Sequence, residues 1–143
     1  MLLNLVANFV LEDFVEIAID FPGGAKVDAH IGSHIVHTDQ PVQSGGEDSA
    51  PAPFAVFLSS IGACAGTYAL SFCRQRGLNT EGMKIVQRMY SDPITHMISK
   101  IDLEITLPKD FPDKYRAAII KSVESCTVKK HIQQPPAFEI TTR

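Results

Sequence analysis

Three cysteines carry the chemical interest of this chain: Cys64, Cys73 and Cys126. Cys64 lies inside SSIGACAGTYALSFCRQRG, residues 59–77, a run of small and apolar residues that reads as a helix. A thiolate is a nucleophile and a thiol is a small hydrophobe, so by its local sequence Cys64 is open to either role. A free thiol titrates near about 8.5, and Cys64 sits beyond the first helical turn, where the helix dipole is strongest. A nucleophilic Cys64 therefore needs a cation or hydrogen-bond donor from elsewhere in the fold. A helix advances about 100° per residue, so Cys64 and Cys73 point to opposite sides and cannot pair with each other. Cys73, between Phe72 and Arg74, reads as packing. Cys126, taken alone, reads as a buried cysteine near the end of a second helix.

Gly62 and Gly66 flank Cys64 on the same helix, and each costs about 1 kcal/mol relative to alanine. That cost implies close approach by another backbone or by a ligand. An odd number of widely spaced cysteines makes no secreted disulfide framework, and without a CxxC pair there is no structural zinc motif. His30, His34 and His37 raise a metal site, which would need a further ligand from afar such as Cys64. Exposed histidines are the simpler reading, so neither a metal nor a cofactor is expected. Ser59, Ser60 and Ser71 lie within a helix and no GxSxG elbow is present, which argues against a hydrolase.

These residues sit in a chain of 143, the size of one domain, with 45% hydrophobic and 20% charged residues. Thirteen Lys and Arg against sixteen Asp and Glu give a net charge of −3, a poor match for a phosphate backbone. The leading MLLNLVANFVLEDF lacks a basic start and a cleavage signature, so a signal peptide is not expected. No apolar run is expected to reach the roughly 20 residues of a membrane span, and the expected compartment is the cytoplasm.

FVEIAID and AKVDAHI alternate around the FPGGA turn as a hairpin, placing Val15, Ile17 and Ile19 on one face. SHIVHT continues as a short strand after Gly32. Residues 38–53 form a Gly-, Pro- and Ser-rich loop. Pro53 suits a helix start, and Gly77 a stop, with Arg74 and Arg76 in the last turn. MKIVQRMY and HMISKIDLEITLP read as strands, the second with Ile101, Leu103, Ile105 and Leu107 on one face. LPKDFPDKYRAAIIKSVESC reads as a second helix with Asp110 as cap, and AFEITT as a last strand. The order β-β(-β)-α-β-β-α-β is an α+β domain spanning 1–143 without an internal boundary.

Three stretches in this order, TDQPVQSGGEDSAPAPFAVFLSSIGAC, RQRGLNTEGMKIVQR and SVESCTVKKHIQQPPAFEI, resemble the OsmC/Ohr family of osmotically inducible and organic hydroperoxide resistance proteins. The resemblance runs from about residue 10 to the end. It implies a strongly curved antiparallel sheet around two central helices, in an intertwined homodimer with sites at the subunit interface. It also implies a cysteine-dependent organic hydroperoxide reductase in which Cys64 matches the peroxidatic thiol and Cys126 the resolving one. A dithiol of the lipoyl type would then reduce the disulfide. The family's best-studied branch uses an arginine from the first strands and a glutamate just after the helix-start proline. Here no arginine precedes Arg74, and Pro53 is followed by Phe54 and Ala55. Lys26, His30, His34 and His37 are the available cations, with Glu47 and Asp48 in the preceding loop. Two functions follow: the peroxidase, or an OsmC-type thiol-bearing protein that binds a small ligand with little turnover.

Overall fold

The computed structural model of the chain describes residues 15–143, so the expectation for the leading fourteen residues lies outside it. The described chain falls into two compact units that divide at Leu58 and Ser59. The α+β class holds. Its strands form two antiparallel sheets, one in each unit, where a single sheet is expected.

The first unit is a three-stranded antiparallel meander of β1 (Ala18–Gly23), β2 (Lys26–Ile31) and β3 (His34–Thr38). Gly24, with φ of 59°, and Ala25 turn the first hairpin, as a two-residue loop with left-handed backbone requires. Gly32 and Ser33 turn the second, so SHIVHT forms the separate short strand expected after Gly32. Alternation in β1 does not bury one face: Ile19 and Phe21 are both exposed.

The loop after β3 is organised by Asp39, only 1% exposed. Its carboxylate accepts from the Ser49 hydroxyl at 2.7 Å, and from the amides of Gln40 at 2.8 Å, Glu47 at 3.1 Å and Ser49 at 3.1 Å. Gly46 lies so close to the Gln40 carbonyl that a Cβ there would stand 1.9 Å from the oxygen, so only glycine fits. Donation from the Ser49 hydroxyl, and then from the amides, holds the Asp39 carboxyl well below the usual carboxylate range. A carboxylate depressed by folding stabilises the fold above its unfolded pKa, and that stability is lost as pH falls through the folded value. The urea midpoint of the wild type should therefore decline below about pH 4, while Asp39→Asn starts lower at neutral pH and declines less. Parallel curves for the two proteins would show that the loop contributes no acid sensitivity.

α1 (Pro53–Gln75) begins in the first unit and continues into the second. It ends in a Schellman arrangement: Leu78 N–H reaches Cys73 O at 3.0 Å and Gly77 N–H reaches Arg74 O at 3.3 Å, with Gly77 at φ of 63°. Arg76 closes the helix end, its guanidinium 3.8 Å from the Phe72 ring centre and hydrogen-bonded to the Phe72 carbonyl. At 23 residues, α1 is long and apolar enough to cross a membrane by length and composition, which corrects the expectation that no run approaches that length. Ala65, Ala69, Phe72 and Cys73 on this helix are buried in the core of the second unit.

The rest of the second unit is β4 (Lys84–Ser91) paired antiparallel with β5 (Ile98–Thr106), then α2 (Arg116–Glu124) and α3 (Thr127–Gln133). Ile85, Leu103, Ile105 and Leu107 lie against the helical core formed with Phe111, Ile119 and Val123. The face expected for β5 is thus the one that packs. The expected second helix is two helices. It starts only at Arg116, because Phe111 is buried in a turn closed to Pro108 O and Asp110 accepts from the Asn79 side chain instead of capping. It breaks after Glu124, where Cys126 adopts φ of −51° and ψ of 126°. The expected last strand is absent: residues 134–143 pair with no strand of the described chain, and Phe138 and Ile140 are 87% and 94% exposed. Apolar alternation supplies side chains for a strand, but the ladder needs a neighbouring backbone.

Candidate functional site

In the second unit, the break between α2 and α3 brings Cys126 to α1. Cys126 is buried and Cys64 half-buried, and both are free thiols. The Cys126 amide bonds Val123 O at 3.1 Å, tying the residue to the last turn of α2. Its thiol lies within hydrogen-bonding reach of the Cys64 side chain. Burial pushes the Cys126 thiol up, hydrogen bonding and charge interaction with Cys64 push it further, and the amides of Lys129 and Val128 pull partly back. Those amides face the sulfur without forming a side-chain cap on α3.

Cys73 stands apart from this pair. It is fully buried in the core, and burial pushes its thiol up against the weaker pull of Arg76. It packs, as its place opposite Cys64 implies.

The two glycines beside Cys64 differ. A Cβ on Gly62 would meet Gln87 Oε1 at 2.8 Å, so this glycine admits the β4 side chain to the helix surface. A Cβ on Gly66 would meet nothing within 4 Å. Tyr68, one turn after Cys64, has its hydroxyl 2.8 Å from Thr127 Oγ1, next to Cys126. Neither residue stands out in the sequence; the available signal was an aromatic hydroxyl four residues beyond the cysteine in an otherwise small-residue stretch.

A cavity of about 790 Å³ opens between β5, α2 and α3. Ile61, Leu103, Ile105, Ile119 and Ile132 contribute to its apolar lining, and Arg116, Glu124 and Lys129 also line it. Neither Cys64 nor Cys126 is on its wall.

The cations named from the sequence lie in the first unit, where acidic partners engage most of them. Lys26 pairs with Glu47, and that hydrogen bond raises its pKa. His30 meets Asp20 at 2.9 Å and His37 meets Asp28 at 2.8 Å, while His34 opens β3. Asp48 sits in the Asp39 loop with φ of 54°. Among the described residues, no three His, Cys, Asp or Glu side chains are grouped to hold a metal ion.

A family model described as OsmC-like protein matches residues 46–141. No curated protein matches the chain. Among solved structures, a Psychrobacter arcticus protein named for osmotic-stress induction and a detoxification response is similar, with TM-score 0.65 and 20% identity over 85% of this chain and 90% of that one. An OsmC-like protein from Mycoplasma pneumoniae gives 0.64 and 14%, over 87% and 91%. An organic hydroperoxide resistance protein OsmC from Legionella pneumophila gives 0.50 and 18%, over 85% and 92%. At these identities the likeness is one of fold.

Proposed function

Since the chain belongs to the OsmC-like protein family, we propose that it is a cysteine-dependent organic hydroperoxide reductase, with Cys64 peroxidatic and Cys126 resolving. The observation that carries this reading is the juxtaposition of the Cys126 and Cys64 side chains, brought together from two elements distant in sequence. The Cys64 thiolate attacks the terminal oxygen of the hydroperoxide and the O–O bond breaks. The alkoxide takes a proton and leaves as alcohol, and Cys64 becomes a sulfenic acid. Cys126 then attacks the sulfenyl sulfur, water departs, and a disulfide forms. An external dithiol, of the lipoyl class, restores both thiols by exchange.

Such a cycle needs a reducing compartment, so the proposal places the protein in the cytoplasm. It also takes the working form to be a homodimer. The exposed apolar side chains of Phe138 and Ile140, in a segment with strand-like alternation, support that assembly.

One equivalent of cumene hydroperoxide added to the reduced protein tests the reading, with thiol oxidation mapped by peptide mass spectrometry. A Cys64–Cys126 disulfide within seconds is the expected result. If both thiols stay reduced for minutes while a control peroxidase consumes the oxidant, the reductase reading fails. A second reading, a thiol-bearing protein that binds a small apolar ligand, is favoured by the 790 Å³ aliphatic cavity with no cysteine on its wall. It would gain support from that negative result together with saturable binding of an apolar fluorophore.

A further inference from the structure

α3 carries Cys126 at its N-terminal boundary, yet it has only seven residues and none of them is buried. Its backbone bonds, Lys130 N–H to Cys126 O and Gln134 N–H to Lys130 O, are internal to it. The His131 ring contact with Thr127 O is internal as well. Such a helix needs outside ties to keep a fixed position, since short helices are marginal by themselves.

One tie reaches the helix that bears Cys64. Tyr68 is four residues beyond Cys64, so both occupy the same side of α1 one turn apart. Thr127 directly follows Cys126. Their hydroxyls meet at 2.8 Å, and both residues are half-buried, where a hydrogen bond meets less competition from water. The Ser122 hydroxyl faces the Tyr68 carbonyl at 3.5 Å, the outer limit of a hydrogen bond.

We propose that Tyr68 and Thr127 form a clamp that holds Cys126 within reach of Cys64 and so sets the rate and yield of disulfide closure. The inference rests on the reductase reading for its physiological meaning, but the clamp itself is a property of the reduced thiol pair. In the step it governs, Cys64–SOH and Cys126–SH become Cys64–S–S–Cys126 and water. The S–S bond forms and the Cys64 S–O bond breaks. The sulfenic oxygen leaves with its own hydrogen and the Cys126 proton. The Cys126 sulfur is oxidised and the Cys64 sulfur reduced. Closure requires an S–S distance near about 2.05 Å and a Cβ–S–S–Cβ dihedral near about 90°, so small losses of alignment slow it. Tyr68 and Thr127 touch no reacting atom; they are positioning residues.

The test uses the full chain as wild type, Tyr68→Phe, Thr127→Val, the double variant and Thr127→Ser. In glutathione redox buffers, mass spectrometry gives the ratio of Cys64–Cys126 disulfide to glutathione mixed disulfide at Cys64. That ratio, multiplied by the free glutathione concentration, gives the effective concentration of Cys126 at Cys64. Each single variant should lower it about fivefold, the worth of one net hydrogen bond. The double variant should fall no further than either single, and Thr127→Ser should restore the wild-type value. With cumene hydroperoxide, Tyr68→Phe should consume the first equivalent within about twofold of the wild-type rate while a dimedone-trappable Cys64 sulfenate accumulates.

An unchanged glutathione ratio in Tyr68→Phe overturns the clamp. So does an additive loss in the double variant, which would mean ordinary packing at two separate places. Failure of wild-type Cys64 to form any sulfenate removes the reductase reading, and the glutathione ratios still decide the clamp.

Discussion

Replacement of Cys64 by serine is expected to lower organic hydroperoxide consumption by about a thousandfold or more, with the fold intact. A serine hydroxyl at this position is a far weaker nucleophile, and its oxygen has no equivalent of the sulfenic state. Cys64 is half-buried, whereas Cys73 and Cys126 are buried, and burial pushes both of their thiols up. Cys73→Ser should therefore leave consumption unaltered. Cys126→Ser should keep the first turnover, then stall with Cys64 as sulfenic acid and pass to sulfinic acid in excess peroxide. Stopped-flow peroxide assays with intact mass spectrometry separate the three variants. Undiminished consumption by Cys64→Ser would place the chemistry elsewhere in the molecule.

Ile119→Ala should cost about 3–4 kcal/mol of unfolding free energy. Ile119 is 0% exposed and joins α2 to Ala65, Ala69, Phe72 and Phe111 in the core of the second unit. It also lines the 790 Å³ cavity, so the space left by its truncation adjoins volume that is already unfilled. Neighbouring side chains then have little reason to collapse onto the gap. Ile119→Val, which removes one methylene, should cost about 1 kcal/mol. Urea melts at constant slope would record both, with a drop of roughly 10 °C in melting temperature for the alanine variant. A loss below about 1 kcal/mol for alanine would mean that this cluster is not what holds the second unit together.

Where punctuation was strong, the sequence was legible. Pro53 and Gly77 bracket α1, the Gly24 turn makes the first hairpin, and alternation from Ile101 to Leu107 identifies the packed face of β5. Long-range features were less legible. Breakage of the second helix at Ser125 and Cys126 depends on backbone angles that ESCT does not dictate, and Phe111 delays its start by filling the core. The tail AFEITT shows how alternation reports a capacity for strand pairing without supplying the partner strand.

The candidate site divides in the same way. Local sequence left Cys64 between nucleophile and core residue, and spacing offered no reason for Cys126 to meet it. The order of three stretches in the family resemblance supplied both positions. Tyr68, Thr127 and Gln87 could not be read beforehand, because each matters through a neighbour distant in sequence. The pairing of Lys26 with Glu47 is equally hidden, because charge alone does not select the partner.

The buried Asp39 carboxylate has a consequence for the life of the protein in a cell. The segment it anchors, from Gln40 to Ser49, contains the composition that proteases prefer to cut: glycines, serines and a surface position. Cleavage requires the backbone to leave its place and lie extended in an enzyme's groove. Each such excursion must first detach the amides of Gln40, Glu47 and Ser49 from one carboxylate. Only the small fraction of molecules in which they have let go is open to attack. One buried acidic side chain thus makes a segment that reads as a weak point in turnover into a durable one, with a protection that persists until the pH falls below about 4.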